Sequence, residues 1–340
     1  MGKKIQPVIQ EGGLLPYGEC REAGRRPAPL RPSQGLGLPP CQAPAARFAR
    51  GFGRTLLRWS GGILAVLIAL GCSSAPKGPA ERRTLRNAGA TQLELANREA
   101  DRGNYEGALE LLTEARRLAF NADDPALIVR AYLSLANVYS FLGRDDEAAS
   151  CQDSAAAEAA LSADGELSAL CEIYRERRRL LGGRASAGQV RDNVQAALAG
   201  IKTNPLDGAL GWIVIGLAEK ELRRFAQAED ALKKALAAHG RYPEQAAYDW
   251  YLIASVRSVA GDYGAALEAL EQALIYDRRV ENSYGLGKDW LARGDVLSKA
   301  GRREEAAAAW RHAAEIFASA GFDAEAAGAR RQYDKSRQGI

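Results

Sequence analysis

The side chains that metal or nucleophilic chemistry would need are sparse: two histidines and five cysteines among 340 residues. His239 is expected in a turn and His312 on a helix beside Arg311. Neither has a second histidine or a cysteine at ligand spacing, so no zinc site is expected. The strings H-E-x-x-H, G-x-S-x-G and G-x-x-x-x-G-K-[ST] do not occur. Gly285-Leu286-Gly287-Lys288 reads as a helix start, and the adjacent carboxylates Glu304-Glu305 as an exposed first turn that favours the helix dipole. No catalytic residue, metal or cofactor is expected.

The thiols divide by position. Cys151 and Cys171 fall on neighbouring helices joined by one loop, at levels that differ by roughly 12 Å along the helices. A disulfide needs Cα atoms within ~7 Å, so two small buried thiols are expected. Cys20 and Cys41 lie in residues 1–54, which hold eight of the thirteen prolines and six arginines after position 24. That stretch cannot bury a core; it reads as a disordered leader, or as residues ahead of the true translation start. Residues 55–72 follow as a basic and then apolar segment, Arg58 and Gly61–Gly71, ending at Cys72. The apolar run is about eleven residues, well short of the ~20 needed to span a bilayer, as in a secretory signal. Ile68-Ala69-Leu70-Gly71-Cys72 resembles the bacterial lipobox. That resemblance implies lipidation of Cys72 after cleavage, a flexible tether over 73–84, and a protein held on a bacterial envelope membrane facing the periplasm. Ser73 after the cysteine leans toward the outer membrane. A soluble cytoplasmic adaptor, with the first 72 residues an artefact, is the competing reading.

Residues 1–72 carry ten Lys or Arg against three Asp or Glu, so the net +4 belongs to them and the remainder is slightly acidic. A nucleic-acid partner is not expected.

From residue 85 onward one pattern recurs. Turn residues Gly103, Gly143, Arg223, Gly261 and Gly301 are 40, 80, 38 and 40 apart, leaving room for a degenerate copy at Gly183. Five residues after each comes Ala108, Ala148, Ala228, Ala266 or Ala306, and twelve after, Ala115, Ala155, Ala235, Ala273 or Ala313. Seven before stand Ala96, Ala136, Gly216, Ala254 and Gly294; eleven before, Gln92, Tyr132, Trp212, Trp250 and Trp290. Such spacing places each set on one helix face, and alanine seams let paired helices approach closely. Aromatic, small residue, Gly-x-aromatic turn (as at Gly261-Asp262-Tyr263), alanine, large apolar and alanine: this resembles the tetratricopeptide repeat. The copies Trp212–Ala235, Trp250–Ala273 and Trp290–Ala313 match best, and the copy near Cys171–Leu198 departs most, with Glu172 and Gln195 at the aromatic and alanine places. The resemblance implies an all-α, right-handed α-solenoid over 85–337, about six helix pairs plus a C-terminal capping helix at Asp323–Arg337.

In that family the first helix of each pair lines a concave groove where a protein or peptide binds. The equivalent positions here include Asn97, Asn137 and Arg177, six before successive turns, with Tyr251 farther on. Asparagines suit a peptide backbone and Arg177 a carboxylate. The set partly resembles the family's carboxylate clamp for chaperone tails, but Leu93 and Ile173 stand where that clamp needs lysines. The expected role is therefore a non-enzymatic scaffold for a protein partner. The alternative is a periplasmic accessory that holds a small ligand in an enclosed apolar pocket.

Overall fold

The computed structural model describes residues 83–338. The lipobox, Cys72 and the leader lie outside the described residues.

Thirteen helices follow one another among the described residues, with no strand. They are α1 (Thr84–Asp101), α2 (Tyr105–Asn121), α3 (Pro125–Phe141), α4 (Asp145–Ser162), α5 (Gly165–Leu181), α6 (Ala187–Leu198), α7 (Pro205–Glu221), α8 (Phe225–His239), α9 (Pro243–Ala260), α10 (Tyr263–Arg279), α11 (Ser283–Lys299), α12 (Arg303–Ser319) and α13 (Asp323–Gln338). Successive helices pair as hairpins, α1 with α2 through α11 with α12, and α13 covers the last pair. The chain is an α-solenoid of six helix pairs with a terminal cap.

The turn inside each pair has one construction. Gly103, Gly143, Gly183, Gly261 and Gly301 all have φ between +62° and +89°. The residue after each sends its N–H back five residues: Asn104 to Glu99 O, Arg144 to Tyr139 O, Arg184 to Arg179 O, Asp262 to Arg257 O and Arg302 to Leu297 O, all within 3.0 Å. These bonds satisfy carbonyls that the helix end would leave bare. Arg223, the one non-glycine in the series, takes the same left-handed shape at φ +57°. The next helix is then capped by a side chain where the sequence supplies one, as Asn104 accepts from Gly107 N and Asp262 from Ala265 N. Between pairs, Asp124 and Asn204 cap helices whose first residue is proline, and Pro243 likewise opens α9.

The seams are as dry as the spacing predicts. Ala108, Ala148, Ala228, Ala266 and Ala306 are wholly buried, and so are Ala115, Ala155, Ala235, Ala273 and Ala313. The tryptophans Trp212, Trp250 and Trp290 are half-buried and pack against the rims of these clusters. Of the small residues seven before a turn, Gly216 and Gly294 leave no room for a side chain: a Cβ would lie 2.7 Å from Leu232 Cγ and 2.4 Å from Trp310 Cδ1.

The degenerate copy is a helix pair turning at Gly183, but α6 is only twelve residues long. Its buried residues are Val190 and Val194, seven and eleven after the turn, while Gln195 is exposed. The turn here is two residues longer: α6 opens at Ala187, four after Gly183, where the other second helices open two after their turn residue. Val190 and Val194 thus take the places, three and seven past the helix start, that Ala108 and Leu112 hold in α2. Cys151 and Cys171 are buried free thiols, and burial pushes the Cys171 thiol up to about 11.

Candidate functional site

The first helices of the pairs turn one face inward, and that face is crossed by polar contacts between distant repeats. Arg177 on α5 donates from Nη1 to Asn137 Oδ1 on α3 at 2.6 Å. It also hydrogen-bonds Tyr248 on α9. Arg130 on α3 makes a two-pronged ion pair with Asp207 on α7, at 2.8 and 2.6 Å. Asn137, Arg177, Arg130, Tyr174 and Tyr248 are all half-buried. Burial raises the Tyr174 and Tyr248 phenols above their ordinary range, with nearby Arg177 acting against it in both. The inner face is thus a built, hydrogen-bonded lining of arginine, asparagine and tyrosine.

Of the four residues expected on the binding face, Asn137 and Arg177 meet as neighbours one repeat apart. Asn97 is exposed on α1. Tyr251 is 4% exposed and belongs to the core of α7 through α11, its ring 6.5 Å from that of Tyr248. Toward the fourth and fifth pairs the equivalent positions are filled, Leu217 and Ser255 being buried as well.

Sequence reasoning missed a second feature, a row of buried acids between pairs. His239 is the last residue of α8, not part of a turn; it is buried, with Nδ1 2.8 Å from Asp249 Oδ2 on α9. One repeat later the same two places hold two acids. His239 and Asp277 each lie sixteen residues after their turn residue, and Asp249 and Asp289 each twelve before theirs. Asp277 and Asp289 are both 1% exposed. Asp277 Oδ2 and both Asp289 carboxyl oxygens have no hydrogen-bond partner. Desolvation raises both carboxyls, Asp277 to about 7, and the Asp277 charge pushes Asp289 further up. A signal was present: Asp stands directly before Trp in both Asp249-Trp250 and Asp289-Trp290, a charged residue in register on a buried face.

The described residues hold no group of three or more His, Cys, Asp or Glu placed to bind a metal, and no helix long and apolar enough to cross a membrane. Their two best-formed clefts are open to the surface. One is lined by Phe225, Glu229, Val256 and Arg257, the other by Arg116, Arg117, Phe120 and Tyr132.

The tetratricopeptide-repeat family model matches residues 129–160, which is the hairpin α3–α4. The match falls on the copy with Tyr132 at the aromatic place, not on one of the three tryptophan copies. Among curated proteins none matches the chain by sequence. Three solved structures share the helix-pair architecture at low identity. The type IV pilus biogenesis factor PilW is 20% identical, with 71% of this chain and 97% of that one covered and a TM-score of 0.44. BtubC from P. vanneervenii is 22% identical, with 69% and 92% covered and a TM-score of 0.47. The apo form of RapI is 13% identical, with 74% and 72% covered and a TM-score of 0.48. The chain is a solenoid of tetratricopeptide-like helix pairs, and residues 129–160 are the copy that matches the family's model.

Proposed function

We propose that this chain is a non-enzymatic scaffold that holds a protein or peptide partner against its inner face, tethered by lipid on Cys72 to a bacterial envelope membrane and facing the periplasm. One observation carries the binding half. Asn137 and Arg177, one repeat apart on successive first helices, are joined at 2.6 Å and remain half-buried, so part of each stays open to a partner. An asparagine amide fixed by a guanidinium is oriented before a peptide arrives, which lowers the ordering cost of binding. The anchoring half is supported by the sequence of residues 55–72 alone. The small-ligand alternative needed an enclosed apolar pocket; the two clefts described above are open, and Arg257 pairs with Glu229 across one of them.

In-cell crosslinking followed by mass spectrometry tests the binding half. The double variant Asn137→Ala with Arg177→Ala is expected to recover less of the partner that wild type captures, and equal recovery refutes the inner-face reading. For the anchor, Cys72→Ser is expected to move the protein from the membrane fraction to the soluble one. Wild-type protein found soluble would favour the cytoplasmic adaptor instead.

A further inference from the structure

The first pair of the solenoid touches the last ones. Arg102, just after α1, donates to the carbonyl of Val280 at 3.4 Å. Gln245 on α9 donates to Asp101 Oδ2 at 3.2 Å. The rings of Tyr105 and Tyr284 lie edge to face at 6.5 Å, and their hydroxyls are hydrogen-bonded. Gly103 lies so close that a Cβ there would sit 2.8 Å from the Tyr284 ring and 3.1 Å from that of Phe322.

Two contacts on the far side of this seam come from one corner: Val280 lies in the turn between α10 and α11, and Tyr284 in the first turn of α11, while Gln245 belongs to α9 and Phe322 to the approach to α13. Glu281 holds φ +53° in the turn, a shape costly to a residue with a side chain. The turn is folded around Asp277. The Asn282 amide donates to Asp277 Oδ1 at 3.0 Å, and Asn282 N–H to the Asp277 carbonyl at 3.0 Å. Asp277 Oδ2 is pressed onto Gly285, where a Cβ would approach it to 2.1 Å. Opposite lies Asp289. At the equivalent junction one repeat earlier, a histidine ring nitrogen faces the aspartate at 2.8 Å, a group that can share a proton with it. At this junction both partners are acids, so the pair stays neutral only by keeping protons of its own.

We propose that the seam is a pH-operated latch, held shut while the Asp277–Asp289 pair is protonated and released as the pair ionises, because two buried like charges repel and push the α10–α11 turn away from α1. Other groups face the pair. Asp101 and Glu244 lie on the seam side of Asp277, while Arg278 and Glu271 face Asp289. Asp101 itself is raised to about 7 by burial and by the Glu244 carboxylate, with His239, Gln245 and Arg102 acting against it. Arg278, a cation near Asp289, is outweighed by burial and by Asp277. Lys288 lies over the Tyr284 ring at 5.7 Å.

The sign follows from the raised carboxyls. In the open form Asp277 titrates near its ordinary 3.8, and in the closed form near 7. Closure is therefore at full strength below about pH 4, weakens by about tenfold per pH unit for each such carboxyl above that, and is spent for Asp277 once pH passes about 7. Asp289, raised further, extends the window upward.

Hydrogen exchange on the full chain at pH 5 and pH 8, corrected for the intrinsic pH dependence of exchange, reads the latch directly. Peptides covering 98–107 and 278–290 are expected to lose at least about tenfold in protection at pH 8, while 127–140 in α3 keeps its own. Asp277→Asn and Asp277→His, the second copying the preceding junction, are expected to cut the pH 8 loss of seam protection by about tenfold or more, leaving only the part that Asp101 carries. Should either fail to give a helical circular dichroism spectrum, Asp289→Asn takes its place. Equal seam protection at both pH values in wild type overturns the latch. So does loss of protection everywhere at once, and so does a wild-type-like drop in the folded Asp277 or Asp289 variants.

Discussion

At Gly294 the solenoid has no room for a single methyl group. A Cβ there would meet Trp310 at 2.4–2.5 Å, and Trp310 cannot swing aside freely because its indole N–H donates to Asp295 Oδ1 at 2.9 Å. Gly294→Ala should therefore destabilise by about 1–3 kcal/mol through overpacking, read as a lower urea midpoint at unchanged slope. A second residue-scale prediction concerns acid. Arg257 grips Glu229 with two hydrogen bonds at 3.1 and 2.8 Å, and with burial opposing and Lys233 assisting it holds the carboxyl down at about 2. A depressed carboxyl stabilises above its ordinary pKa of 4.5, and the contribution is lost as pH falls from there toward 2. Glu229→Gln should remove about 1 kcal/mol at pH 6, solvent screening reducing what the shift alone implies, and only a few tenths (~0.3 kcal/mol) at pH 2.5, measured by denaturant unfolding at each pH. An equal loss at both would show that packing, and not charge, is what Glu229 supplies.

Among elements, the helix pairs and their turns were legible because both depend on near neighbours in sequence. Gly301 predicts its own turn: it has φ +77°, and no atom lies within 4 Å of where its Cβ would be. Gly301→Ala thus meets only backbone strain and should cost about 1–2 kcal/mol of thermal stability. Arg223→Gly should do the reverse by about 1 kcal/mol, less what is lost when the Arg223 guanidinium leaves the Phe225 ring at 5.6 Å. What could not be read was set by partners far along the chain. One exception is α6, where two extra turn residues move Val190 and Val194 off the count from Gly183. Arg177 and Asn137 meet because the two are forty residues apart in a forty-residue repeat. Tyr248 as the other partner of Arg177, and Asp207 as the partner of Arg130, depend on how tightly the whole solenoid curls. The acids at 277 and 289 were hidden for a different reason: an aspartate in a polar stretch reads as solvated unless the next repeat is checked for the same position.

For the solenoid as a whole, the question is whether its repeats behave as a line or as a closed circuit. In a linear array each pair feels only its neighbours, so damage at one end fades before it reaches the other. Here the cap joins both ends. Phe322 packs against Phe317 and Tyr284, with ring centroids at 6.3 and 4.9 Å, and the same ring lies against Gly103 at the far end of the chain. Ala326 and Ala329 complete the cover over the last pair. Ending the chain after Ala320 would remove that ring and leave Phe317, now wholly buried, open to water. Loss of cover alone should lower protection in α11 and α12, as in any solenoid stripped of its cap. The circuit adds a second consequence: amides at 98–107, some two hundred residues away, should also exchange faster, by severalfold at pH 5 where the seam is otherwise shut. The amides of α3 and α4 serve as the internal control and should not change. If 98–107 exchanges at the wild-type rate in the truncated chain while α12 is exposed, the two ends are touching without supporting one another, and the solenoid is energetically a line.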